Sequence, residues 1–387
     1  MNKKLKVLPI LAMGLMLVAC NGGTSSSSKP TSKNDDVTFT LKVGSYVTLD
    51  TSKNQVVVSS AAVILKGDTI ADAYFDVLQA PFAIASVTGT ENNNNTVYTL
   101  AIDKTTNQTK DAGDKVIETK QELKERYAMS PKDQSKEWYN QAASFAKYTI
   151  GKTIKEVTDA TYQNHYNEKD PNYGNYTPVS GCSISQTNFT TALKVITDAK
   201  TFKAPANAVS AGLGYKVSTL GADGTNVLTV TIAGSATDKD GKIHETSINA
   251  YQIPLMVNSS DPTKITYNPN NAYGGLYAQT NAANFKDHTT ESGKDTYYTE
   301  VLSKRELKGL YGMSPKDETK EWFNQANSFA RYATGKNVSV LQKNLGKYKS
   351  AENKSGTVEV AGCTINMDDF ATSIIKSNTN KSGLKAK

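Results

Sequence analysis

Two short stretches carry residue types that could do chemistry. They are Ser180-Gly181-Cys182-Ser183, within TPVSGCSISQTNF, and Ala361-Gly362-Cys363-Thr364, within VEVAGCTINMDDF. Each sets a glycine, a thiol and a hydroxyl just ahead of an amphipathic stretch. Glycine lets a ligand approach the backbone closely. A hydroxyl there can cap a helix, or it can lie beside the free N–H groups of a helix N-terminus, a favourable place for a phosphate.

The sulfur chemistry is bounded by counting. The chain has three cysteines, Cys20, Cys182 and Cys363, and three histidines, His165, His244 and His288, scattered far apart. No CxxC spacing occurs, and a zinc site needs three or four clustered ligands, so no metal is expected. A reactive thiol needs an activating neighbour that the sequence does not supply, so Cys182 and Cys363 read as small buried apolar groups. The absence of GxSxG, HExxH and paired-carboxylate patterns argues against a hydrolase.

The elements that position these stretches occur twice. KQELKERYAMSPKDQSKEWYNQAASFAKYTIGK (120–152) matches KRELKGLYGMSPKDETKEWFNQANSFARYATGK (304–336) at about two-thirds of its positions. A period of this length means a duplicated domain rather than a solenoid of short repeats. Thr119-x-x-Glu122 and Ser303-x-x-Glu306 fit a capping box and predict a short helix. Ser130 and Ser314, each followed by Pro and then Asp133 or Asp317, predict the start of a second helix. Its apolar face is Trp138, Ala142, Phe145, Ala146 and Thr149 in one copy and Trp322, Ala326, Phe329, Ala330 and Ala333 in the other. Gly151 and Gly335 end it.

Ahead of the helices, VTFTLKVGSYV, QVVVSSAAVIL and AYFDVLQA in the first copy, and NVLTVTIAGSA and ETSINAYQIPL in the second, read as strands of an antiparallel meander. After each Gly-Cys comes a last helix, through Phe189, Leu193 and Ile196 or through Phe370, Ile374 and Ile375. The class is α+β, as two tandem copies of a small domain with an antiparallel sheet and packed helices. The copies are placed at 37–206 and 209–387, each with its own core and each expected to fold alone.

The N-terminus reads as a leader. MNKKLK is basic and VLPILAMGLMLVA is apolar but too short to span a bilayer. The stretch ends in LVAC, which resembles the lipobox of bacterial lipoproteins. That resemblance implies a signal peptide at 1–19 and diacylation of Cys20, and two acyl chains anchor a protein stably. Residues 20–36, rich in Gly, Ser, Pro and Lys, form a flexible tether. The protein is therefore expected on the extracellular face of the cell membrane, held by lipid. The net charge of +7 is spread along the chain. It favours weak attraction to an anionic wall or membrane surface, and no basic stripe with interleaved aromatics suggests nucleic acid.

Small-Gly-small-Ser/Thr followed by an aliphatic residue, near the end of a small domain, resembles the motif of FMN-binding domains. In that family a flavin transferase joins FMN phosphate to the hydroxyl. The resemblance implies covalent FMN at Ser183 and at Thr364, with Gly181 and Gly362 as the motif glycines. Cys182 and Cys363 stand where the family commonly has Ala. An acidic residue often precedes the acceptor. Glu359 does so in the second copy and nothing does in the first, so Thr364 is the better match. Trp138, Tyr139, Trp322 and Phe323 are candidates to stack on a flavin, although aromatics at helical spacing first suggest core.

Lipobox, tether and two copies together resemble the flavinylated lipoproteins of extracellular electron transfer in Gram-positive bacteria, some of them pheromone precursors. That resemblance implies an electron carrier rather than an enzyme with its own turnover. Its partners would be an FMN transferase, a membrane NADH dehydrogenase with its quinone pool, and extracellular acceptors such as ferric iron or free flavins. The competing expectation is a cofactor-free surface binding or adhesion lipoprotein, suggested by ENNNNTVYTL and NPNNAYGGLY.

Overall fold

The computed structural model describes residues 36–88, 97–103, 117–163, 169–218, 226–268, 301–348 and 356–383. The leader, Cys20, the tether up to residue 35 and most of the two Asn-rich stretches lie outside the described residues.

Long runs of Val, Ile, Ala and Thr make the strands. In the first copy these are β1 (Asp36–Asp50), β2 (Gln55–Lys66), β3 (Thr69–Thr88), β4 (Val97–Ile102) and β5 (Ile196–Pro205). In the second they are β6 (Val209–Ser218), β7 (Val227–Asp238), β8 (Ile243–Asn258) and β9 (Asp261–Tyr267). All pairings between them are antiparallel. The orders are β4-β3-β2-β1-β5 and β6-β7-β8-β9, two meanders with β5 added beside β1.

The helices of the first copy are α1 (Lys120–Leu123), α2 (Trp138–Thr149), α3 (Ile154–Asp159) and α4 (Thr187–Lys194). Those of the second are α5 (Lys304–Leu307), α6 (Trp322–Ala333), α7 (Val338–Lys343) and α8 (Asp368–Thr379). The class is α+β. Both capping boxes form, at Thr119–Glu122 and Ser303–Glu306. Gly151 and Gly335, at φ 80° and 84°, follow the C-caps of α2 and α6.

Two helix boundaries differ from the sequence reading. The second helix does not start at Ser130 or Ser314. A 3-10 turn intervenes at Gln134–Lys136 and at Glu318–Lys320, and the α-helix begins at Trp138 and Trp322. The cause is a buried carboxylate. Glu137 accepts hydrogen bonds from the N–H groups of Met129 and Ser130 at 3.1 and 2.8 Å, and Glu321 does the same for Met313 and Ser314. Each carboxylate belongs to the N-cap residue of the actual helix and ties the loop back to it, while Asp133 and Asp317 cap the 3-10 turns instead. Ile196 likewise leaves the last helix and opens β5.

Strands β2 and β3 are apolar on both faces because their sheet is covered twice. On β2, Val56, Val58, Ala62 and Ile64 face one core, while Ala61, Val63 and Leu65 face another. The first of these cores joins the two sheets face to face, setting Phe39, Leu41 and Phe202 in one cluster with Leu213, Tyr215, Tyr251 and Ile253. The helices of each copy cover the outer face of their own sheet. The order of layers is helices, sheet, sheet, helices.

Each copy has an outer core of its own, and the largest core belongs to both. Close packing of the outer layers depends on missing side chains. A Cβ on Gly214 or Gly212 would come within 2.0 Å of the carbonyl oxygens of Ser373 or Ser377 of α8. No helix among the described residues is long and apolar enough to cross a membrane.

Candidate functional site

Each Gly-Cys motif is a tight turn between the copy's second and last long helices. The Cys182 N–H donates to Val179 O at 3.0 Å, and the Cys363 N–H to Val360 O at 2.9 Å. Gly181 and Gly362 hold the third place of these turns at φ 75° and 81°, a backbone region that favours glycine. Space excludes a side chain as well. A Cβ would meet Ser144 Oγ of α2 at 2.7 Å, or Ser328 Oγ of α6 at 2.6 Å.

The two thiols point inward, into separate outer cores. Cys363 Sγ donates to Gln325 O at 3.2 Å, and Gln186 Nε2 donates to Cys182 Sγ at 3.3 Å. Burial pushes the Cys182 thiol up and the Cys363 thiol up to about 12. Neither is poised as a thiolate nucleophile at neutral pH.

The hydroxyls face the other way, Ser183 half-buried and Thr364 exposed. Neither caps a helix. The N-caps of α4 and α8 are Gln186 and Met367, neither with a capping side-chain bond. What holds each hydroxyl is a buried glutamine of the preceding long helix. Gln141 Oε1 accepts from Ser183 N at 2.7 Å, Ser183 Oγ at 2.9 Å and Ile184 N at 3.1 Å, while its Nε2 donates to Lys136 O at 2.6 Å. Gln325 repeats the set with Thr364 N at 2.6 Å, Thr364 Oγ1 at 3.3 Å, Ile365 N at 3.2 Å and Lys320 O at 2.6 Å.

These glutamines are the site residues that the sequence reading passed over. The available signal was their identity in both copies, inside Asn-Gln-Ala, on the otherwise apolar face of the helix. The same bonds change the phosphate reading. The backbone N–H groups beside each hydroxyl are taken by glutamine, and the helices begin four residues beyond each hydroxyl, so a helix N-terminus is not what faces an anion here.

Cations take that place. The cleft beside Ser183 has a volume of about 1060 Å³, and Lys136 and Lys147 are in its wall with Asn140 and Ser144. The cavity beside Thr364 is about 350 Å³, and its wall has the corresponding Lys320, Arg331, Asn324 and Ser328. Arg331 donates to Ser328 Oγ at 2.8 Å. Among the described residues lining either cavity there is no Asp, Glu or His. No group of three or more His, Cys, Asp or Glu able to hold a metal gathers among the described residues.

A phosphate tethered to a hydroxyl fits this donor set: a fixed oxygen, at least two cations and no anion among the described residues of the wall. Each turn's glycine also leaves the hydroxyl's approach free of a side chain. The residues present therefore fit an esterified flavin phosphate.

The aromatic candidates divide. Trp138 and Trp322 are 5% and 4% exposed, edge-on to Phe189 and Phe370 in the outer cores. Tyr139 is in the wall of the first cleft and donates to Glu125 at 2.7 Å, while Phe323 is partly buried against the second outer core. Glu359 is exposed. Other repeated residues are structural. Lys120 lies over Tyr127 and Trp138 at 4.6 and 5.3 Å, and Lys304 over Tyr311 and Trp322 at 4.5 and 5.3 Å. Burial lowers these ammonium groups to about 8 and about 7.

No protein-family model, curated protein or solved structure matches this chain.

Proposed function

We propose that the chain is a surface-anchored electron carrier that bears two covalent FMN groups, esterified to Ser183 and Thr364. The observation that carries this reading is the repeated acceptor geometry. Two hydroxyls stand two residues past a positive-φ glycine, each on a buried glutamine and each beside at least two cations with no acid among the described residues of the wall. The hydroxyl oxygen forms the new P–O bond to the FMN phosphoryl group of a phosphoanhydride donor held by the transferase. The anhydride P–O bond breaks, and the nucleotide phosphate leaves as the hydroxyl gives up its proton. With no base among the described residues of either wall, activation belongs to a transferase. Gln141 and Gln325 keep their two backbone donors once the hydroxyl proton is gone, so the turn survives modification.

When attached, FMN supplies the redox chemistry, while the protein supplies attachment and surroundings. On this reading the leader and Cys20 anchor the chain by lipid on the outer face of the cell membrane. Electrons come from a membrane NADH dehydrogenase through quinone and leave to acceptors such as ferric iron or free flavins. The test is the double variant Ser183→Ala/Thr364→Ala. Cells carrying it should keep the protein on their surface and lose reduction of ferric iron. Full reduction by the double variant contradicts the proposal.

One observation favours the second reading, a cofactor-free binding protein. Tyr74, Tyr139, Tyr173, Gln121, Gln163 and Asn140 in the first cleft are a set that also suits carbohydrate. Wall-glycan binding by unflavinylated protein, undiminished in the double variant, would support it.

A further inference from the structure

The two acceptor sites share their cations and hydroxyls but differ in what lies behind them. In the aligned repeat Arg305 corresponds to Gln121, and Asn327 to Ala143. Arg305 is 8% exposed. Its Nε donates to Ile248 O, its Nη2 donates to Asn327 Oδ1 at 2.8 Å, and it pairs with Asp198 at 3.4 Å. Asp198 belongs to β5, the last strand of the first copy, whose side chains bridge to β8. Ser247 Oγ donates to Asp198 at 2.6 Å, and Lys200 Nζ donates to Thr246 O at 2.9 Å. Arginine, asparagine and β5 thus plug the space between α6 and β8.

In the first copy the plug is missing. Gln121 folds back to Phe75 O at 3.0 Å, and Ala143 offers only a methyl group. Both residues instead border the cleft of about 1060 Å³, whose far side is Asn380–Ser382, the segment following α8 of the other copy. That segment is fixed there: Leu213 N–H donates to Asn380 O at 3.0 Å, and Ser382 N–H to Ala211 O at 2.8 Å. Asn380 also donates to Glu122 Oε1 at 3.2 Å, and Lys376 pairs with Glu122 at 2.8 Å.

Resting on the flavin reading above, we infer that this inter-copy cleft receives the isoalloxazine ring of a flavin joined at Ser183, while a flavin at Thr364 stands in solvent. Size and lining carry the inference. A cleft of this volume suits a drug-sized planar ligand, which sites of this kind bury by most of its surface. Tyrosine rings in the wall suit a planar π-system. The cavity of about 350 Å³ beside Thr364 has no aromatic residue in its described wall. The two acceptors then serve as an enclosed and an exposed flavin, only the second open to contact by a soluble acceptor.

The experiment uses full-length protein purified from flavinylating cells as two single-acceptor variants, Thr364→Ala and Ser183→Ala, with iodide quenching of flavin fluorescence as readout. The flavin on Ser183 should be quenched several-fold less steeply than the flavin on Thr364. In the Thr364→Ala background, the plug exchange Gln121→Arg/Ala143→Asn should raise its quenching toward the Thr364 value while the mass still shows one flavin. Equal quenching in the two single-acceptor proteins overturns the inference and leaves the flavin reading standing. That comparison stands even if the plug exchange fails to fold. Absence of covalent flavin from both proteins overturns the flavin reading and this inference with it.

Discussion

The two copies solve the same buried problem with different acceptor groups. At the start of α1, the Asp76 carboxylate accepts from Val77 N at 2.7 Å and Gln121 N at 3.2 Å. In the second copy Asn249 accepts from Ala250 N at 2.8 Å and Arg305 N at 3.4 Å. An amide does in one half what a titratable carboxyl group does in the other. Asp76 is fully buried, and burial pushes it up to about 8, with Thr119 lowering it and Glu122 raising it. Asp72, which accepts from Ala211 N at 2.8 Å across the sheets, is pushed up to about 7 by the same cause. Duplication kept the hydrogen-bond geometry and the Gly-Cys turn with its glutamine. It left the buried acceptor group at α1 and the space behind the Gly-Cys turn free to diverge.

The largest expected effect comes from separating the copies. Fragments 36–206 and 209–387 should each fail to melt cooperatively, because each alone exposes the sheet face that carries Phe39, Leu41 and Phe202, or Leu213, Tyr251 and Ile253. Co-expressed, they should recover a single transition. A sharp melt of either fragment alone, as a monomer, would restore the picture of independent domains.

That outcome also measures what the sequence could tell. The duplication, the long strands, the capping boxes and the terminating Gly151 and Gly335 are local patterns with local causes, and they were legible. Which surface covers a strand is not local. QVVVSSAAVIL reads the same whether its second face meets a helix or another sheet. The Ser-Pro-x-Asp start misleads because its Asp133 and Asp317 cap a short 3-10 turn, and the long helix begins only after Glu137 and Glu321, which tie the loop back. Gln141 was hidden for a related reason: a polar residue on an apolar helix face has meaning only once the turn it meets is folded beside it.

The second test gives both copies an amide at this position. Folded protein holds a proton on Asp76 up to about pH 8, whereas an unfolded Asp releases it near 3.9. The wild-type chain therefore loses stability from this group as pH rises from about 4 to 8. Asp76→Asn removes that loss. Relative to wild type, the variant should gain up to about 1.4 kcal/mol per pH unit between roughly pH 5 and 7. The Lys120 ammonium, lowered to about 8 by burial, works above this window. Its lowered value adds stability as pH rises beyond about 8. Denaturant melts at pH 5 and pH 8 decide the matter, and a difference independent of pH would mean Asp76 is ionised throughout.

The smallest effect concerns the thiols, which sit alike in both copies. Cys182→Ala and Cys363→Ala should each lower stability by about 1 kcal/mol, the scale for removing a small buried group. Flavin content should not change, since both sulfurs face away from the acceptor side. Loss of flavin from either variant would return the cysteine to the chemistry.

The central claim is that Ser183 and Thr364 are both flavin-phosphate acceptors, and intact mass tests it most directly. Protein from cells with an active FMN transferase should carry two FMN units. Ser183→Ala and Thr364→Ala should each carry one, and the double variant none. Wild-type protein at its unmodified mass, or a double variant that keeps its flavin, would contradict the account.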